Sequence, residues 1–350
     1  QGGTGSIEVS AGDVAATAAE GDVIAAGGTI DIAARGGSFS TVAGVEIVGV
    51  DRIRIAADDL VIAGGSRLAV DPTFGSIELA PYTTTIGLGL GDAAIGAWRL
   101  DNAEIAAIEA PIVRIGSAGG GPFVGSTSGR IDLRDLSTSG TFASDRLVLR
   151  TTGEVTGGGD LDLSATGSDL AIRSGGTIDL TDGGGDRNLG VVAATTGGAA
   201  AAIRLDDSID GLTIGSVDGV VGLSTGRGPI RVTTTGVESD LLVLADVRNT
   251  GNEAIVLQAD DAIAIGSGVL IRGTGTGRIE VAADRDGLLG DGIGSLAQAR
   301  DSIVFAAGAT IDAGAGTVSV RTDGGAGTGG SILLGTIRTL SSRQDAISVA

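Results

Sequence analysis

The sequence predicts an all-β chain, a three-sided parallel β-solenoid, and three observations carry that prediction. First, short apolar triplets recur: Ile7, Ile30, Ile53 and Ile77 stand in Ser-Ile-Glu-Val, Thr-Ile-Asp-Ile, Arg-Ile-Arg-Ile and Ser-Ile-Glu-Leu, spaced 23, 23 and 24. Second, two further registers interleave with that one, Ile24, Ile47 and Val70 at 23 and 23, then Phe39, Ile62 and Ile86 at 23 and 24. Three strands per period are expected of a coil that buries little alone and makes a core only by stacking. Third, glycine fills 64 of 350 positions, proline only 5, and apolar residues reach 42%, which fits frequent turns around a packed core rather than collagen or disorder.

From Ile7 to Ile347 run 340 residues, about 15 coils of about 23 residues, so residues 1–350 are expected to form one continuous solenoid. With about 4.8 Å between hydrogen-bonded strands, a regular stack would be on the order of 70 Å long. Two strand openings recur. One is Gly, a spacer, an aliphatic, a polar residue and another aliphatic, as in Gly28 to Ile32, Gly75 to Leu79, Gly129 to Leu133, Gly277 to Val281 and Gly316 to Val320. The other begins with Asp, as in Asp145 to Leu149, Asp240 to Leu244, Asp261 to Ile265, Asp301 to Phe305 and Asp345 to Val349. Both alternate with the period of a strand buried on one face. Glycine is expected there because it reaches positive φ freely, and Asp because it bonds its own backbone at a corner. Helix templates fail, since glycine pairs interrupt the apolar spacing within a turn or two.

The late part keeps the same time: Ile255, Ile279 and Ile303 at 24 and 24, with Ile347 44 residues later. Over residues 72–125 the rhythm loosens. Pro72, Pro81, Pro111 and Pro122 fall there, with Phe74 and the chain's single Tyr and Trp, Tyr82 and Trp98. Distorted coils with widened corners are expected, and Phe74, Tyr82 and Trp98 are the candidate contact surface. Residues 182–202, with Gly183 to Gly185 and Ala199 to Ala202, read as a long corner loop returning to the strand Ile203-Arg204-Leu205.

Aromatic residues are 2% of the chain, so the core is expected in thin layers of Ile, Val, Leu and Ala. All 23 basic residues are arginine, and 43 acids give a net charge of −20, which argues against nucleic acid as a partner and against adhesion to an anionic membrane. Without cysteine no disulfide forms. The start at Gln1 and the strand-like end Ile347-Ser348-Val349-Ala350 suggest a fragment of a longer chain, and no apolar run of 18 residues predicts a membrane span.

The absence of histidine excludes Ser-His-Asp triads, Cys-His pairs and the usual zinc sites; the absence of lysine excludes Schiff bases and a Walker loop. Carboxylate chemistry remains. Its candidates are Asp58-Asp59, Asp206-Asp207 with Asp210, and Asp260-Asp261, each just before a strand, where a corner cap explains them without chemistry. No catalytic or cofactor-binding residue is assigned, and a polysaccharide-degrading β-helix enzyme using paired carboxylates stands as the alternative. Calcium has weak candidates in Asp284, Asp286 and Asp291, which resemble part of a calcium loop but lack a third ligand and the closing Glu. The run Gly324 to Gly329 matches a calcium nonapeptide except that glycine stands at the ligand position. The threonine runs at 83–85 and 233–235 do not recur at the coil period, as an ice-matching face would require.

The two strand openings, with corners such as Ala63-Gly64-Gly65 and Ala306-Ala307-Gly308, resemble the repeats of filamentous-haemagglutinin-like bacterial exoproteins. Autotransporter passenger domains look similar. The resemblance implies a right-handed β-helix, exported to the extracellular space or bacterial cell surface, serving adhesion, biofilm-matrix or filament formation. Its implied partners are further coils of the same chain, copies stacked end to end, and cell-surface glycans or proteins. The Asn-Pro motifs of that group's secretion domain are missing, which marks the chain as interior shaft.

Overall fold

The computed structural model describes residues 7–16, 23–117, 127–137, 145–163, 169–181, 185–236, 239–284, 302–323 and 330–350. The chain divides into two compact units, Gln1–Ser174 with Asp182–Gly185, and Gly175–Thr181 with Asp186–Ala350. Each is a stack of parallel strands, coil upon coil, and the fold is a parallel β-solenoid.

In the first unit one ladder runs through Ile7–Ala11, Thr29–Ala34, Arg52–Ala56, Ser76–Ala80, Ile112–Ile115, Arg146–Thr151 and Asp169–Ser174. Ile7, Ile30, Ile53 and Ile77 lie in register, as their spacing requires, and Val113, Leu147 and Leu170 continue the row. From Ile30 onwards no member of that row is more than 3% exposed. Ile32, Ile55, Leu79, Ile115, Leu149 and Ile172 form a second buried row two residues on. Between the two rows, Asp31, Arg54, Glu78 and Arg114 alternate in charge down the ladder. Arg54 Nε donates to Asp31 Oδ1 at 2.7 Å, and Arg114 reaches Glu78 at 3.4 Å. The hydrogen bond to Asp31 raises the pKa of Arg54 above its ordinary value, against the burial that lowers it.

Two shorter ladders complete the early coils: Val14–Ala16, Ser38–Thr41 and Asp59–Val61; and Val23–Ala26, Glu46–Gly49, Arg67–Ala69 and Ile108–Glu109. Here the sequence reading needs correction. Ile24 does stack on Ile47, but Ile47 stacks on Leu68 rather than Val70, and Phe39 on Leu60 rather than Ile62. Corner lengths explain the slip. From Ile30 the steps to Phe39, Ile47 and Ile53 are 9, 8 and 6 residues, whereas from Ile53 the steps to Leu60, Leu68 and Ile77 are 7, 8 and 9. The period is held in the first ladder while the corners trade residues. A slip of two keeps the same face, so Val70 and Ile62 were convincing substitutes.

The loosened window is an excursion. Ile77 and Val113 are register partners 36 residues apart, and the added chain lays Trp98–Leu100 beside Gly87–Leu90 before forming a short helix, Asn102–Ala106. Asp101 caps that helix, accepting from Glu104 N at 2.9 Å while the Glu104 side chain accepts from Asp101 N at 3.1 Å, a capping box that the failed helix templates overlooked. Between Arg130 and Ser174 each coil has two long strands instead of three: Arg130–Ser137 and Arg146–Thr151, then Val155–Asp162 and Asp169–Ser174. Their bend lies at a register shift between Arg134 and Leu136, where Asp135 and Gly159 take φ of 49° and 67°.

The second unit restores three ladders. The first is Ile178–Leu180, Ile203–Asp207, Ile230–Thr234, Ile255–Ala259, Ile279–Ala283, Val318–Thr322 and Ile347–Val349. The second is Leu212–Ile214, Leu241–Val243, Ile263–Ile265, Ile303–Phe305 and Ile332–Leu333. The third is Leu223–Thr225, Val247–Asn249, Leu270–Gly273, Thr310–Asp312 and Thr336–Arg338. Ile255 and Ile279 stack as expected, but Ile303 stacks on Ile263, and Ile279 meets Val318, 39 residues on. The expected corner loop 182–202 contains a strand, Val191–Thr196, with Val192, Ala193 and Ala194 fully buried. Alanine there reads as loop by composition, yet its small side chain suits a thin core.

The strand-opening glycines have a different cause from the expected one. Gly129, Gly277 and Gly316 lie outside the positive-φ set; a Cβ on each would meet a backbone oxygen of the preceding coil at 2.4, 2.2 and 1.8 Å. Close approach of stacked corners, not φ, requires glycine at these positions.

Candidate functional site

The carboxylates singled out as catalytic candidates face backbone N–H groups of neighbouring coils. Asp58 Oδ1 accepts from Thr83 N at 2.6 Å, as Asp13 does from Ser38 N at 2.9 Å and Asp135 from Asp160 N at 3.2 Å, each across 25 residues. Asp260 accepts from Gly236 N at 3.1 Å, Asp240 from Ala262 N at 3.1 Å and Asp246 from Leu270 N at 2.8 Å. Asp also bonds its own corner, as Asp71 does with Thr73 N at 2.8 Å. The strand-opening acid therefore fastens one coil to the next as well as shaping its turn.

Asp206, Asp207 and Asp210 form the densest of these groups. Along Ile203–Asp207, Ile203 and Leu205 face the core and Asp206 faces out. Asp207 closes the strand at 0% exposure, its Oδ2 accepting from Leu189 N at 2.7 Å and its Oδ1 from Ile209 N at 3.2 Å. Asp210 follows in the left-handed region at φ 60°. Asp206 Oδ2 lies 3.7 Å from Arg187 Nη1, and that arginine is 2% exposed. Paired-carboxylate chemistry needs both groups to reach one substrate. Asp207, sealed and bonded on both oxygens, reaches none.

Burial raises the Asp207 pKa from 3.8 to about 7, assisted by the negative charges of Asp206 and Asp210 and opposed by the two N–H donors. The sign of the linkage follows. The folded chain holds this proton to about pH 7, while the unfolded chain releases it near 3.9. The associated stability, on the order of 4 kcal/mol, is present below about pH 4 and lost as pH rises through about 7. Urea midpoints of the wild type are expected to fall over that window, and Asp207→Asn is expected to flatten this component. Identical slopes in the two proteins would contradict it.

The proposed aromatic surface is not assembled. Trp98 is 1% exposed, filling the widened coil where its strand pairs with Gly87–Leu90, and so leaves any contact surface. Tyr82 packs half-buried on Ala33, Ala56 and Ala80, and Phe74 stands 59% exposed. Of the calcium candidates, Asp284 is 2% exposed at φ 55°, its N–H donating to Asp261 O at 3.0 Å; Asp286, Asp291 and Gly324 to Gly329 lie outside the described residues. Among the described residues no group of three or more His, Cys, Asp or Glu is placed to hold a metal ion, and no helix is long and apolar enough to cross a membrane.

The chain matches no known protein family, no curated protein and no solved structure. Its class is defined by the fold alone: a parallel β-solenoid repeat protein.

Proposed function

We propose that the chain is the β-solenoid shaft of an extracellular bacterial surface protein, an adhesin or a fibre- or matrix-forming exoprotein. The observation that supports this reading most is the use of its acids: Asp13, Asp58, Asp135, Asp240, Asp246 and Asp260 fasten coil to coil instead of converging on a cleft. A second is the face beyond the last coil. Val318 and Val320 are 1% and 0% exposed, while Ile347 and Val349, their register partners one coil on, are 46% and 44% exposed. That face takes a further coil, from the same chain or from a second copy stacked end to end. Glycans or proteins of a cell surface are the proposed external partners.

The competing reading is a polysaccharide-cleaving enzyme centred on Asp206. Incubated with neutral and acidic polysaccharides, the wild-type chain is expected to release no new reducing ends. Turnover that disappears in a folded Asp206→Ala variant would replace the shaft with an enzyme.

A further inference from the structure

We infer that the outer face of the second unit carries a binding site for a carboxylated sugar, the hexuronate unit of a glycan. A groove of about 400 Å³ opens there, lined by Thr181, Arg204, Asp206, Arg231, Thr233 and Thr235. That volume falls in the range of small-molecule sites, roughly 300–1,000 Å³. The ladder builds it. Register stacks Arg204 on Arg231 and, two residues on, Asp206 on Thr233, and strand alternation sends these four side chains to the same outer face.

One wall is already set. Arg204 Nη1 lies 2.9 Å from Asp179 Oδ2, and the Thr181 hydroxyl donates to Asp179 Oδ1 at 2.6 Å. Arg231 is differently placed. Its guanidinium donates to the Gln258 side-chain carbonyl at 3.3 Å and meets no carboxylate among the described residues, although the chain carries a net charge of −20. A planar guanidinium bonded only to a neutral amide keeps donors for a carboxylate from outside. Beside it, the Thr233 hydroxyl and the Asp206 carboxylate can donate to and accept from ring hydroxyls. Asp206 also selects against multiply charged ligands, since a second anionic group would face it and the chain's net charge opposes polyanions. A ring with one carboxylate and several hydroxyls satisfies both arginine and aspartate.

Isothermal titration calorimetry with a galacturonate trisaccharide tests the site, with a galactose trisaccharide and a sulfated trisaccharide as comparisons. The galacturonate probe is expected to bind, and the galactose probe to bind at least about tenfold more weakly. Arg231→Gln is expected to lower affinity roughly tenfold to hundredfold, and Arg231→Lys to recover only part, because an ammonium lacks the planar fork. Arg231 is exposed, so both variants should keep the wild-type unfolding midpoint; Thr233→Val supplies an independent weakening. No binding of galacturonate, equal affinity for galactose, tighter binding of the sulfated probe, or undiminished affinity in Arg231→Gln would each overturn the site. The site stands on the groove and not on the shaft reading. Filaments without sugar binding would remove this site alone, whereas cleavage of the probe would remove the shaft reading.

Discussion

Gly153→Ala is expected to destabilise the chain by about 3 kcal/mol or more. A Cβ built on Gly153 would sit 1.3 Å from Gly129 O and 2.5 Å from Gly129 C, in the stacked corner of the preceding coil. Neither partner is a side chain that can swing aside, so the two coils must part. Parting them strains the bonds that close this corner, Thr152 N to Ser128 O at 3.1 Å and Thr151 Oγ1 to Ser128 O at 3.0 Å. Gly64→Ala is the control: nothing lies within 4 Å of its added Cβ, and its change is expected to stay within about 0.5 kcal/mol. Urea unfolding of both variants reads the difference as a shift in midpoint at constant slope. Equal midpoints would mean that the two corners are not in contact.

Asn249→Ala is expected to cost on the order of 3 kcal/mol or more, through polar groups rather than packing. Asn249 is 0% exposed and works in two directions. Its Nδ2 donates to Gly228 O, one coil back, at 2.8 Å and to Glu253 O at 3.2 Å, and its Oδ1 accepts from Gly251 N at 2.5 Å. Alanine leaves two carbonyls and one N–H at a corner that the side chain had satisfied, each costing about 1–3 kcal/mol when left dry. Asn249→Asp should be no better at neutral pH, because a carboxylate would face the two carbonyls with no hydrogen to offer. A variant at that position as stable as wild type would show that water reaches the corner.

The coil period was legible because one ladder keeps strict time: Ile7, Ile30, Ile53 and Ile77 are true register partners. The other two ladders were misread by two residues at Leu68 and Leu60. Corners of 6 to 9 residues exchange length within a nearly constant coil, and a two-residue slip preserves the alternation on which the reading depends. Ile303 was misplaced for a related reason, since each ladder supplies its own Ile and spacing alone does not say which ladder an Ile belongs to. The carboxylate corners were foreseen as caps, but their partners in the next coil were not, because Asp58 and Thr83 are neighbours only after stacking. The same limit hid the arginine pair of the groove, where Arg204 and Arg231 are 27 residues apart and face each other only in register. Trp98 was expected at a surface because prolines surround it; the excursion instead folds it inward at 1% exposure.

The central claim is that this chain acts through stacked coils that accept further coils at the Ile347–Val349 face. Fibre diffraction from oriented native material, joined to electron microscopy across a dilution series, tests it most directly. The expected result is filaments that persist on dilution and a reflection near ~4.8 Å along their axis, since the strands hydrogen-bond in the direction of stacking. Particles that remain single at every concentration, with no axial reflection at that spacing, would contradict the account.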